Sequence, residues 1–121
     1  MATTTEDPNT VLVYVLPEGS DPPIRVEPEN VPVSGQYVVI NFLLQTPGWH
    51  FPGTGAVALT SSSSQFPLVS WTESDGSVVR LFDFNTDVKD YHYNLTVDPD
   101  NPEDIGNRLV VTIDPGISNG R

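Results

Sequence analysis

The chain has 121 residues, no cysteine, and 16 acidic side chains against 5 basic ones, a formal charge of −11. A single domain of this length buries about two-thirds of the surface its unfolded chain exposes, so it can hold a core without staples. The lack of cysteine excludes disulfides, thiolate metal sites and a thiol nucleophile, and so acidic a surface repels phosphate backbones and anionic lipid, so neither nucleic acid nor membrane is an expected partner.

Residues 1–10 are polar and acidic and read as a disordered lead-in to one domain over residues 11–121. They lack the basic and apolar regions of a signal peptide. No apolar run approaches the roughly 20 residues of a membrane-spanning helix. The expectation is a soluble cytoplasmic protein.

Val11-Leu12-Val13-Tyr14-Val15-Leu16 is a β-branched and aromatic run, a strand apolar on both faces. Pro17 to Pro23 ends it. Ile24-Arg25-Val26 alternates as a short strand, and Val31-Pro32-Val33 continues extended, with prolines that suit an edge. Gln36 to Gln45 carries the strongest strand pattern. Val38, Ile40, Phe42 and Leu44 line one face, while Tyr37, Val39, Asn41 and Leu43 line a second face that is only partly polar. Burying four such side chains contributes roughly 6–12 kcal/mol before entropy is subtracted, so this strand is expected to be central.

Thr46 to Gly53 breaks the regular pattern, and Gly55 to Leu59 is a weak strand. Four consecutive serines then make a flexible connection to a short strand, Phe66 to Trp71. Asp75-Gly76 signals a hairpin. Val78 to Phe84 follows, and a polar loop, Asn85 to Asp90, leads into Tyr91-His92-Tyr93-Asn94-Leu95-Thr96-Val97. That stretch places Tyr91, Tyr93, Leu95 and Val97 on one side, the period of a half-buried strand. Arg108 to Ile113 completes the last hairpin. Asn101-Pro102-Glu103-Asp104 carries cap-type signals for one helical turn, which Gly106 would stop.

These seven to nine short strands, with turn signals every 8–12 residues or so, predict an all-β Greek-key sandwich with at most one helical turn. The architecture is expected to be immunoglobulin-like or cupredoxin-like. Asp90-Tyr91-x-Tyr93 fits the tyrosine corner of such sandwiches, in which a hydroxyl ties back to nearby backbone. A type-1 copper centre needs a cysteine and two histidines; with only His50 and His92 the chain cannot be a copper electron carrier. Val11, Val13, Val15 and Val39 are expected on faces opposite Leu12, Tyr14, Leu16, Val38 and Ile40, and if both faces are apolar a long loop or another chain must cover one. A homo-oligomer formed sheet to sheet or by edge addition, or a protein partner, is one way to supply that cover.

The runs Leu81-Phe82-Asp83-Phe84-Asn85, Tyr91-His92-Tyr93-Asn94-Leu95-Thr96-Val97 and Ile113-Asp114-Pro115-Gly116-Ile117-Ser118-Asn119 resemble the C-terminal half of the bacterial DP-EP family. Trp49-His50-Phe51 and Gln65-Phe66 sit where similar sequences carry aromatics. The resemblance covers Ile24 to Asn119 and implies a cupredoxin-like or immunoglobulin-like sandwich. The family carries no established activity, so the resemblance implies no catalytic residue and no cofactor.

Two segments are candidate sites. Pro47-Gly48-Trp49-His50-Phe51-Pro52-Gly53 sets three aromatic rings between Pro and Gly. Trp49 and Phe51 would offer a platform to a sugar, a peptide or another subunit, with His50 as a polar tip; the alternative is that both rings cap the core. Asp98-Pro99-Asp100-Asn101-Pro102-Glu103-Asp104 gathers four carboxylates, Asp98, Asp100, Glu103 and Asp104, beside an amide. Ca²⁺ takes six to eight hard oxygens, but the EF-hand spacing is absent and the same residues build ordinary turns. No nucleophile–base spacing, Walker loop, dinucleotide fingerprint or His-Glu-x-x-His occurs, so catalysis is not expected. The sequence thus reads as a non-enzymatic module acting in protein binding or self-assembly, with a Ca²⁺- or carbohydrate-binding domain as the alternative.

Overall fold

The computed structural model describes residues 9–35, 37–60, 65–66, 70–101, 103 and 107–120. Most of the expected lead-in, the serine run, residues 67–69 of the expected Phe66–Trp71 strand, Asp104 and the Gly106 stop lie outside the described residues. Within them are ten strands: β1 Thr10–Val15, β2 Ile24–Glu27, β3 Val31–Val33, β4 Val38–Leu44, β5 Trp49–His50, β6 Val57–Leu59, β7 Trp71–Thr72, β8 Val78–Asp83, β9 Lys89–Pro99 and β10 Leu109–Asn119. The count exceeds the expected seven to nine because β5 and β7 are two residues long, too short for a period to show. Thr10, taken with the lead-in, is instead the first residue of β1 and is buried.

The strands form two sheets of a β-sandwich. One sheet runs β2-β1-β4-β8-β7; the other runs β3-β10-β9-β5, with β6 also on β9. The expected central strand, β4, does lie between β1 and β8. Most pairs are antiparallel, but β1–β4 and β3–β10 are parallel. The β7–β8 hairpin turns at Asp75-Gly76: Gly76 adopts φ +77°, and Asp75 Oδ1 accepts the Ser77 amide at 3.0 Å.

Alternation explains the core. Val11, Val13, Ile24, Val26, Ile40, Phe42, Val79 and Leu81 face inward from the first sheet, and Tyr91, Tyr93, Leu95, Val97 and Ile117 from the second; all are buried. The Tyr91 hydroxyl ties back four residues, as a corner tyrosine should, but it donates to the Asp87 carboxylate at 2.7 Å rather than to backbone.

β9 and β10 form the longest ladder. Its register shifts between Ile113 and Ile117, where β10 carries extra residues as a bulge. Gly116 lies in this bulge because the Tyr93 ring fills the space beside it: a Cβ there would come within 2.2 Å of a ring carbon. Tyr93 in turn meets Phe42 edge to face, with centroids 5.4 Å apart. Its hydroxyl is buried without a partner, and burial pushes its pKa upward.

Two substitutions test this arrangement by denaturant unfolding. Gly116→Ala should cost about 3 kcal/mol through overpacking against Tyr93. Tyr93→Phe should raise stability by about 1 kcal/mol, since it removes an unpartnered hydroxyl and keeps the ring. A large loss on Tyr93→Phe would mean the hydroxyl holds a partner.

Candidate functional site

The two segments singled out in the sequence meet in space. Gly48, at φ +90°, turns the chain so that β5 pairs with the end of β9: Trp49 lies opposite Pro99 and His50 opposite Asp98. The Gly48 carbonyl accepts the Asp100 amide at 2.9 Å, and the Gly76 carbonyl accepts the Phe51 amide at 2.8 Å. Gly76 is needed twice here. It supplies the positive φ of the hairpin turn, and its missing side chain admits His50, whose Cβ would lie 2.9 Å from a Cβ at position 76.

Each predicted side chain then has a distinct place. Phe51 is 1% exposed and belongs to the core, so the core-cap reading holds for it. Trp49 is half-buried; it packs against the core and also lines an open groove. His50 is partly exposed, and its Nδ1 lies 2.7 Å from Asp100 Oδ1. Asp98 is buried at the surface end of β9 under a bidentate contact from Arg108, Nε at 2.7 Å and Nη2 at 3.0 Å. Those hydrogen bonds hold the Asp98 carboxyl below the usual range, against the opposing effect of burial. Glu103 is exposed; its amide donates to Asn101 Oδ1 at 3.0 Å, a local turn bond. Asp98 and Asp100 are thus engaged by Arg108 and His50 rather than turned toward a shared point. Among the described residues no three His, Cys, Asp or Glu side chains gather as a metal site.

The groove has a volume of about 770 Å³ and runs between the β1–β2 connection and the ends of β9 and β10. Leu16, Pro17, Trp49 and Pro99 give it apolar walls, and Glu18 and Arg108 stand among them as charged groups. Ser20 and Asn107 add further polar groups, so the lining is of mixed character and suits a small polar ligand with one apolar face.

A second surface covers the outer face of the β2-β1-β4-β8-β7 sheet. Separate strand patterns do not reveal which faces coincide, and the expectation that groups Val39 with Val11 and Val13 joins residues of opposite faces. The register corrects this: Val11 pairs with Phe42, and Leu12 with Leu43. Leu12, Val39 and Leu43 therefore share the outer face, and Val78 and Phe82 join them across β8. Leu12 is buried; the other four are half-buried. Phe84 stands edge-on to both Phe82 and Tyr37, at 5.3 and 5.8 Å. Tyr37 is 63% and Trp71 37% exposed. The polar side chains in register here are Arg25 and Glu27, which pair with each other, and Asn41 opposite Arg80, which donates to Asn41 and pairs with Glu73. The outer face of the other sheet is mainly polar, carrying Asp90, His92, Asn94, Thr112 and Asp114 beside the exposed Val110. Phe82 and Phe84 were not singled out from the sequence, although their alternation with Leu81 already placed them opposite the core.

The fold and these two surfaces define an all-β sandwich with an apolar sheet face and a groove at one end. No protein-family model and no curated protein sequence matches the chain. Neither comparison bears on the resemblance to the DP-EP family.

The Asp98–Arg108 contact has a testable pH signature. The Asp98 pKa is lower in the folded chain than in the unfolded one. Its contribution to stability is therefore full above the unfolded value, near 3.8, and fades as pH falls through the lowered folded value. Arg108→Gln should flatten that part of the acid limb when denaturant midpoints are compared between about pH 5 and pH 2. An unchanged acid limb would show that the contact does not set the Asp98 titration.

Proposed function

We propose that the chain is a non-catalytic sandwich module that works by association, with a second copy of itself covering the outer face of the β2-β1-β4-β8-β7 sheet. The observation that carries this reading is that Leu12, Val39, Leu43, Val78 and Phe82 share one outer face, around a hydrogen-bonded Asn41–Arg80 pair, with its arginines matched by glutamates. Two copies of a chain with a formal charge of −11 repel each other over most of their surfaces. On this face each arginine meets a glutamate, so the repulsion is smallest where the apolar area is greatest. Completing the burial of a large apolar side chain contributes at most about 1.5–3 kcal/mol, so Val39, Leu43, Val78 and Phe82 supply a useful driving force together. A self-complementary face of this kind leads to a closed two-fold dimer.

Both sheets contain a parallel pair, whereas immunoglobulin sheets are antiparallel. Those parallel pairs favour the cupredoxin-like reading over the immunoglobulin-like one.

A second reading rests on the groove. Its half-buried Trp49, set between prolines and flanked by Glu18 and Arg108, suits stacking of a neutral sugar ring.

Light scattering on a sizing column separates these readings. Association predicts a mass near twice 13.2 kDa at low micromolar protein. Phe82→Asp should return it to the monomer with an unchanged circular dichroism spectrum, because a charge on the face blocks pairing without entering the core. A wild-type monomer at that concentration would contradict the first reading. For the second, calorimetric titration with a panel of neutral sugars should give heat that Trp49→Ala abolishes; a flat trace across the panel would remove it.

A further inference from the structure

A second polar cluster stands at the other end of the β9–β10 ladder, built mainly from buried oxygens. The alternation Val79, Leu81, Asp83 turns the last side chain of β8 inward, and Asp83 is 0% exposed. Asn85, at φ +53°, and Asn119, near the end of β10, are 2% and 3% exposed. Asp87 is half-buried beside them. Asp83 Oδ1 accepts the Asn85 amide at 2.9 Å and Asn119 Nδ2 at 3.2 Å. The same Asn119 nitrogen reaches Asp87 Oδ1, also at 3.2 Å. One neutral amide thus bridges two carboxylates, and among the described residues neither carboxylate has an ion pair.

Three buried oxygens in this cluster have no hydrogen-bond partner among the described residues: Asp83 Oδ2, Asn85 Oδ1 and Asn119 Oδ1. Buried acceptors are costly unless something satisfies them. Asn85 cannot escape by turning over, because its nitrogen donates to the Gly35 and Gly120 carbonyls at 2.5 and 2.6 Å. Asp87 is held from outside by the Tyr91 hydroxyl.

We propose that Asp83, Asn85, Asp87 and Asn119 form a binding site for one hard divalent cation of the Ca²⁺ class. The donor set is two carboxylates and two amide oxygens, with no histidine or sulfur, which matches the all-oxygen preference of Ca²⁺ and not the nitrogen or sulfur preference of Zn²⁺ or Cu²⁺. Asp83, Asn85 and Asp87 stand at alternate positions, the spacing by which calcium loops present their first three oxygens. Asn119 arrives from the neighbouring sheet. Turning its amide over replaces the nitrogen between the carboxylates with an oxygen, the change a cation demands. The acidic turn at Asp98 to Glu103 plays no part in this site.

Calorimetric titration of chelator-treated protein with CaCl₂ tests the proposal, together with thermal unfolding at each end of the titration. The expected result is one site per chain and a rise in unfolding midpoint of about 5 °C or more at saturation. Asp87→Asn, which removes a charge but can still accept from Tyr91, should weaken binding at least tenfold. Asp100→Asn, in the other acidic segment, should leave it unchanged. Crystals grown with Ca²⁺ should show an ion about 2.3–2.6 Å from the Asp83 and Asn85 oxygens. No heat and no thermal shift at 10 mM CaCl₂ would overturn the proposal. So would binding that survives Asp87→Asn but is lost on Asp100→Asn, or an ordered water at hydrogen-bonding distance in place of the ion.

Discussion

The β9–β10 ladder is the constraint on which the rest of this sandwich depends. Its inward side chains supply Tyr91, Tyr93, Leu95, Val97 and Ile117 to the core. Its bulge at Gly116 makes room for the Tyr93 ring, which then meets Phe42 on the opposite sheet. Both polar clusters hang from its two ends. At one end Asp98 and Pro99 receive Arg108 and β5; at the other, Asn119 and Tyr91 fix Asp83 and Asp87. A slip of one residue in this register would turn the tyrosines outward and dismantle both clusters together.

Charge and apolar surface are distributed unequally over the two outer faces. The β3-β10-β9 face follows the ordinary rule of apolar inside and polar outside. The β1-β4-β8 face breaks it, because Leu12, Val39, Leu43, Val78 and Phe82 are apolar at positions that point away from the core. The proposal that a second copy covers this face rests on that exception. The pairing of Arg25 and Arg80 with glutamates keeps that face free of the repulsion that the remaining carboxylates impose.

Much of the fold was legible from period alone. The alternation of Val38, Ile40, Phe42 and of Tyr91, Tyr93, Leu95, Val97 identified the two strands that dominate the core, and Asp75-Gly76 marked its hairpin. What could not be read was which faces coincide, because sheet register joins residues far apart in sequence; Val39 was placed with the wrong partners for that reason. Trp49 and Phe51 carry the same platform-or-cap alternative in the sequence, and only the pairing of β5 with β9 sends Phe51 inward while Trp49 stays at the groove. The sequence offers Asp98 and Asp100 as an ordinary acidic turn or a weak Ca²⁺ candidate, and nothing local foretells that Arg108 and His50 engage them. Asp83 is the opposite case: its inward phase was present in Val79-x-Leu81-x-Asp83, but a buried acid is recognised only when its partners, Asn85 and Asn119, are in view.

Burial of the outer face by a second copy is tested most directly by thiol labelling, which the cysteine-free chain allows at single sites. Leu43→Cys would probe the centre of the β1-β4-β8 face, and Val110→Cys, 54% exposed on the other sheet at the native valine, would serve as the reference. The Leu43→Cys thiol should react slowly at tens of micromolar protein and faster on dilution, while Val110→Cys keeps one rate throughout. Equal, concentration-independent rates at both positions would show that the face stays open to water and that the chain does not pair there.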